Sequence, residues 1–182
     1  MRQSRTARLF ALGAASVLIS VVIVPAAHAS PPTPNASASL AQLRKTASYF
    51  DPSIRPDAVG VYLSTDGAAM PPSSGMSAMT SCGPYDAWAP FGGGWGSTSI
   101  GLSCYVIGTS TSTTKTYWWE AQGDVLACAE GRGFYNDGTA FWGSLGCGSG
   151  NSAPIHWGLA VAYPRLHAMS LALAVGEFVS WT

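Results

Sequence analysis

The sequence predicts a mainly β protein, a compact antiparallel β-sandwich or barrel with two disulfides and one short N-terminal helix. Three observations carry that expectation. Short β-type runs recur at even spacing from Cys82 onward, Gly, Ser, Thr and Asn-Asp-Gly clusters separate them, and all four Cys (Cys82, Cys104, Cys128, Cys147) lie in that stretch. With 182 residues, 47% hydrophobic and 10% charged, and a formal charge of zero, the chain is sized for one globular domain. Its composition excludes a disordered protein and disfavours a nucleic-acid binder.

The order of elements begins with an export signal. Arg2, Arg5 and Arg8 precede an apolar run, Leu9–Val24, which Pro25 and the small-residue triplet Ala27-His28-Ala29 follow. This pattern reads as a secretory signal peptide over residues 1–29. The run is short for a membrane span and no second one follows it. No Cys stands at the cleavage site to take a lipid, and the Arg residues are not paired as a twin-Arg signal requires. A secreted, extracellular protein without a stable membrane anchor after signal cleavage is therefore expected. Beyond Ala29 the chain carries six Lys or Arg against nine Asp or Glu, which disfavours nucleic acid and anionic lipid as partners.

Residues 30–38 read as a disordered tether of Pro, Ser and Ala. Residues 39–81 read as helix, strand and linker, an N-terminal part of the domain or a propeptide-like arm. Ser39 opens a capping box with Gln42, and Leu40, Leu43, Ala47 and Phe50 form one helical stripe that Asp51-Pro52 ends. Val59, Val61 and Leu63 alternate as a brief strand, and 67–81 reads as a linker. The β-domain, 82–182, then shows runs at 99–107, 114–121, 125–135, 139–147, 154–163 and 168–181. A faint repeat of period 24 relates Leu102, Cys104, Tyr117 and Trp118 to Leu126, Cys128, Phe141 and Trp142.

Asn136-Asp137-Gly138-Thr139 is the strongest turn signal, and with Asp137-Gly138 as a two-residue type I′ loop it sets a register. That register places Cys128 opposite Cys147, Phe134 opposite Phe141 and Trp142 opposite Gly133. Cys82–Cys104 is the remaining pair, centred on Gly93, although Pro84 and Pro90 argue against a regular ladder before it. The rival Cys104–Cys128 would centre on Thr116 inside a strand-like run and is less favoured. Each bridge closes a loop worth roughly 3 kcal/mol in the chain-entropy picture.

Candidate chemistry is sparse. His156 and His167 have no partner at metal-ligand spacing and the Cys are assigned to disulfides, so no metal and no cofactor are expected. Gly150-Asn151-Ser152-Ala153-Pro154 departs from the serine-protease nucleophile motif, and no His lies between Ser30 and Ile155 to act upstream as base. A glycosidase-like pair would draw on Glu120 or Asp124 with Glu130. Alternation points His156 away from the core. Glu130 and Arg132 share a face with Cys128 and Phe134, so a bulge at Gly131 or Gly133 is expected to turn them outward; an ion pair at a pocket edge is the alternative.

The aromatic residues divide by alternation. Trp119 travels with Tyr117, and Trp157 with Ile155 and Leu159, as core; Trp118 travels with Thr116 and Glu120, and Trp142 with Ala140 and Ser144, on the opposite face. A meander of the strands from 104 to 147 would put Trp118 opposite Ala127 and place Trp118 and Trp142 on one face, roughly 20 Å apart. The alternative is that a second layer covers both. Trp118, Trp142, Glu120 and Trp95 form the candidate ligand-binding set.

The leading expectation is a secreted, non-enzymatic β-domain that binds a cell-wall or other extracellular polysaccharide, or second a protein, through its aromatic surface. The alternatives are a secreted effector, such as a bacteriocin-like toxin or protease inhibitor presenting loop 109–114 or 92–94, and a hydrolase without a recognisable motif.

Overall fold

The computed structural model describes residues 40–63 and 82–182; the expected signal peptide, the tether, Ser39 and the linker at 67–81 lie outside the described residues. The described residues are mainly β, with one helix among them, α1 (Leu40–Thr46). The strands are β1 (Val59–Tyr62), β2 (Tyr85–Ala89), β3 (Ser99–Ile100), β4 (Cys104–Ile107), β5 (Thr114–Ala121), β6 (Ala127–Phe134), β7 (Ala140–Gly148), β8 (Gly150–His156), β9 (Val161–Ala162), β10 (Arg165–Ser170) and β11 (Glu177–Trp181).

Two four-stranded antiparallel sheets, β3-β10-β6-β7 and β2-β11-β5-β8, pack face to face, and a third sheet, β1-β4-β9, adds one parallel pair. No sheet closes on itself, so the architecture is a sandwich.

Alternation makes the core. Tyr117 and Trp119 of β5, Val179 and Trp181 of β11, and Ala87 and Ala89 of β2 meet Leu166 and Ala168 of β10, Ala127 and Ala129 of β6, and Leu145 of β7. The inner positions of β6 are small because large rings from the other sheet lie on them. A Cβ on Gly131 would stand 2.8 Å from the Tyr117 ring, and one on Gly133 would stand 2.5 Å from Ile155.

Trp119, Trp157 and Trp181 are fully buried. Each contributes about 4–6 kcal/mol of transfer free energy before the entropy of ordering is subtracted. Their polar handles are satisfied: Trp119 Nε1 donates to Leu145 O, Trp157 Nε1 to Ala160 O and Trp181 Nε1 to Ser99 Oγ. Tyr117 donates its hydroxyl to Arg132 O across the sandwich, and burial pushes its phenol well above the ordinary value.

A smaller cluster joins Leu43 of α1 and Ile54 to Tyr105, Ile107, Val161 and Tyr163. Here the helical stripe is cut short. Beyond Thr46, Ser48 donates to Leu159 O, Val161 to Tyr49 O and Asp51 to Val161 O, so residues 48–51 are extended, and Phe50 forms a parallel bridge instead of a last helical turn.

Both disulfides form, Cys82–Cys104 and Cys128–Cys147. The hairpin register near the turn differs by one residue from the expected one. Tyr135 donates to Thr139 O and accepts from Gly138 N, giving a three-residue loop, Asn136-Asp137-Gly138, with Gly138 at φ 85°. Phe134 therefore faces Ala140, Gly133 faces Phe141 and Arg132 faces Trp142. A bulge at Leu145 of β7 then shifts the ladder by one and brings Cys128 opposite Cys147. Two register errors cancel at the disulfide.

The expectation for Glu130 and Arg132 is corrected in turn: the irregularity of the β6–β7 ladder lies between Ala129 and Glu130 and not at Gly131 or Gly133, Glu130 reaches His167, and Arg132 is buried with Asp51 and the Phe134 ring. The run at 99–107 divides between two sheets as β3 and β4, and the runs at 154–163 and 168–181 likewise break into shorter strands. β2 was not anticipated. Pro84 and Pro90 flank it without entering it, and its partner is β11 rather than a neighbour in sequence.

Candidate functional site

The four candidate residues divide between the two sheets. β5 pairs with β11 and β8, whereas β6 pairs with β10 and β7. The expected β5–β6 pairing is absent, so Trp118 is not opposite Ala127, and Trp118 and Trp142 project from different sheets. Trp118 is 40% exposed and Trp142 38%, so neither lies beneath a second layer.

On the sheet β2-β11-β5-β8 the outward positions make one composite face. Trp88 of β2 stands beside Phe178 of β11, the rings at 5.0 Å edge to face. One step along the strands lie Asp86, Ser180 and Glu120, and one further lies Trp118, facing Ser152 of β8. Gln122, just after β5, donates its amide to Asp86 Oδ1 at 2.6 Å and to Ser180 Oγ at 2.7 Å, while Ser180 Oγ donates to Asp86 Oδ1 at 3.0 Å. Trp118 and the Trp88–Phe178 pair are four strand positions apart, roughly 13 Å.

These outward positions carry two carboxylates and no Lys or Arg. The free lone pairs of Asp86, Glu120 and Gln122 make the middle of the face an array of acceptors.

The outer face of the sheet β3-β10-β6-β7 is built differently. His167 of β10 stacks on Trp95 at 4.3 Å and on Trp142 of β7 at 4.0 Å, nearly parallel to both. Two indoles this close to one imidazole must take its opposite faces, so the three rings form a column. Glu130 Oε2 is 2.8 Å from His167 Nε2 and fixes the ring in its plane.

Across the strands the order is His167, Glu130, Ser144. The carboxylate, not the imidazole, stands in the middle, which is the reverse of a nucleophile triad. Glu120 and Glu130 lie on different sheets, so the carboxylate pairing considered for a glycosidase is not assembled between them.

Beside the column, a hollow of about 240 Å³ is lined by Thr98, Trp142, Arg132 and Arg165, among others. Asp51 lies beneath, 3.1 Å from Arg165 and 4.0 Å from Arg132. Burial alone would raise the Asp51 carboxyl, but hydrogen bonds from Ser53 and the Arg165 guanidinium outweigh it and hold it below its usual value. His156 is not a free surface group: its two ring nitrogens contact Phe134 O and Thr111 O.

Sequence reasoning passed over Lys115. It shares the inward parity of Tyr117 and Trp119, and its ammonium lies 4.7 Å from the Tyr117 ring centre and donates to Thr116 O. A charged residue at an inward strand position was the available signal. The protein around it lowers its pKa to about 8 by desolvation, although the side chain keeps some contact with solvent through the hollow that it lines.

Among the described residues no group of His, Cys, Asp and Glu is placed to hold a metal ion, and no helix is long and apolar enough to cross a membrane. No family model, curated protein or solved structure matches the chain.

Proposed function

We propose that this is a secreted, non-enzymatic binding domain whose ligand is a neutral extracellular polysaccharide, held on the outer face of β2-β11-β5-β8. The observation that carries the reading is the row of Trp118, the Glu120/Ser180/Asp86/Gln122 acceptors and the Trp88–Phe178 pair on one rigid sheet. Exposed aromatic rings offer flat, low-entropy platforms for the apolar faces of sugars. Carboxylate and amide oxygens between them accept from hydroxyl groups, which a polysaccharide supplies in number. Two carboxylates without a basic neighbour repel an acidic polymer, and this argues for a neutral one.

Export follows from the sequence signal at 1–29, and the two disulfides are compatible with an oxidising destination.

The test is retention of the oxidised protein on insoluble neutral polysaccharides and on whole cell walls, against acidic polymers as controls. Saturable retention on a neutral polymer, undiminished from low salt to about 1 M salt, is expected, because screening acts on charge pairing and not on stacking. Retention confined to acidic polymers, or lost with salt, would contradict it.

One observation favours the secreted-effector alternative. The segment between β10 and β11 exposes Leu171, Leu173 and Val175, with Leu173 87% exposed. Growth inhibition or vesicle leakage that Leu173→Ser abolishes would move the assignment there.

A further inference from the structure

We infer that the hollow beneath the Cys82–Cys104 disulfide is a binding site for a small amphipathic carboxylate, its apolar body within the hollow and its anionic head on Lys115. This site is independent of the polysaccharide face, because Lys115 points inward from the strand whose outward side carries Trp118.

The hollow measures about 420 Å³ and has the size and character of a small-molecule site, apolar walls with few polar groups. Val61 and Leu63 line it from the β1 side, Val106 from β4, Pro164 from the approach to β10, and the disulfide itself from above.

Lys115 is the only charged side chain among the described lining residues, and Tyr85 the only other titratable one. No carboxylate among the described residues pairs with Lys115. Its ammonium has three donors, and Thr116 O takes one of them.

An ammonium with donors to spare on the wall of an apolar hollow, and with no carboxylate partner among the described residues, favours an acceptor brought by a ligand. A carboxylate accepts from such a cation and brings the opposite charge. The apolar walls require the remainder of the ligand to be hydrocarbon-like. Burial lowers the Lys115 pKa to about 8, which fits a cation that gains from an anionic ligand.

The test is calorimetric titration of the whole protein with decanoate, with decanol as the uncharged control. Wild type is expected to bind one decanoate, and Lys115→Met to bind it at least tenfold more weakly. Decanol affinity should be unchanged by Lys115→Met. Circular dichroism checks each fold.

If Lys115→Met does not fold, the titration of the Lys115 side-chain NMR signals in wild type decides the matter, since decanoate must raise their midpoint and decanol must not. Equal decanoate affinity in wild type and Lys115→Met, or none in wild type, overturns the proposal. So does borohydride trapping of decanal on Lys115 without carboxylate affinity, which would assign the amine to carbonyl chemistry.

Discussion

Asp51→Ala is expected to destabilise the fold by about 3 kcal/mol, at the lower end of the range for breaking a buried ion pair. Asp51 is 1% exposed, and its carboxylate faces Arg132 and Arg165 while accepting from Ser53 N and Oγ. Removing it takes the counter-charge from two neighbouring guanidinium groups, and the Arg165 Nε has no other partner among the described residues. The cost sits at the lower end because a quarter of the Arg165 side chain stays in water.

The pH dependence has a definite sign. A carboxyl whose folded pKa is lowered contributes stability that is fully present above its unfolded value of about 3.9 and is lost as pH falls through the folded value. Denaturant melts of wild type and Asp51→Ala should therefore converge as pH drops below about 4. Parallel curves down to the most acid folded state would show that Asp51 contributes no ionic stabilisation.

Gly133→Ala is expected to cost about 3 kcal/mol, the upper part of the overpacking range. Its added Cβ would lie 2.5 Å from Ile155 Cγ2, 2.6 Å from the His156 carbonyl and 2.7 Å from Phe141. The carbonyl belongs to the facing backbone and cannot swing aside, so the two sheets must part at this point. Gly94→Ala is the matched control, because nothing lies within 4 Å of its Cβ position. Thermal melts should separate the two variants widely, and equal melting temperatures would show that β6 does not need its bare inner face.

How much of this was legible in the chain follows from which interactions are local. The run at 114–121 reads as a strand with Trp119 inward and Trp118 outward because alternation is a property of the strand itself, and β5 has those bounds and those faces. The fold class and both disulfides were legible for similar reasons, through turn chemistry and short loops. Strand partners were not. Parity states which side a residue takes, but it does not state that β11, from the far end of the chain, inserts between β2 and β5. The shared face expected for Trp118 and Trp142 failed on that point alone.

The same limit hid the site on each sheet. Trp88 was unassigned because β2 lacks a neighbouring partner, and the Trp95–His167–Trp142 column joins residues whose proximity no periodicity encodes. Trp118 and Glu120 remain together on one face, while Trp95 and Trp142 each spend one ring face on His167. This is why the binding assignment rests on the former pair.

The most direct measurement is a comparison of binding isotherms on an insoluble neutral polysaccharide for wild type, Trp118→Ala and Trp142→Ala, each with its melting temperature. The account predicts that Trp118→Ala loses at least tenfold in affinity, about 1.4 kcal/mol, with the fold intact, while Trp142→Ala binds as wild type does. Undiminished binding by Trp118→Ala, or a loss confined to Trp142→Ala, would contradict it and move the ligand to the other sheet.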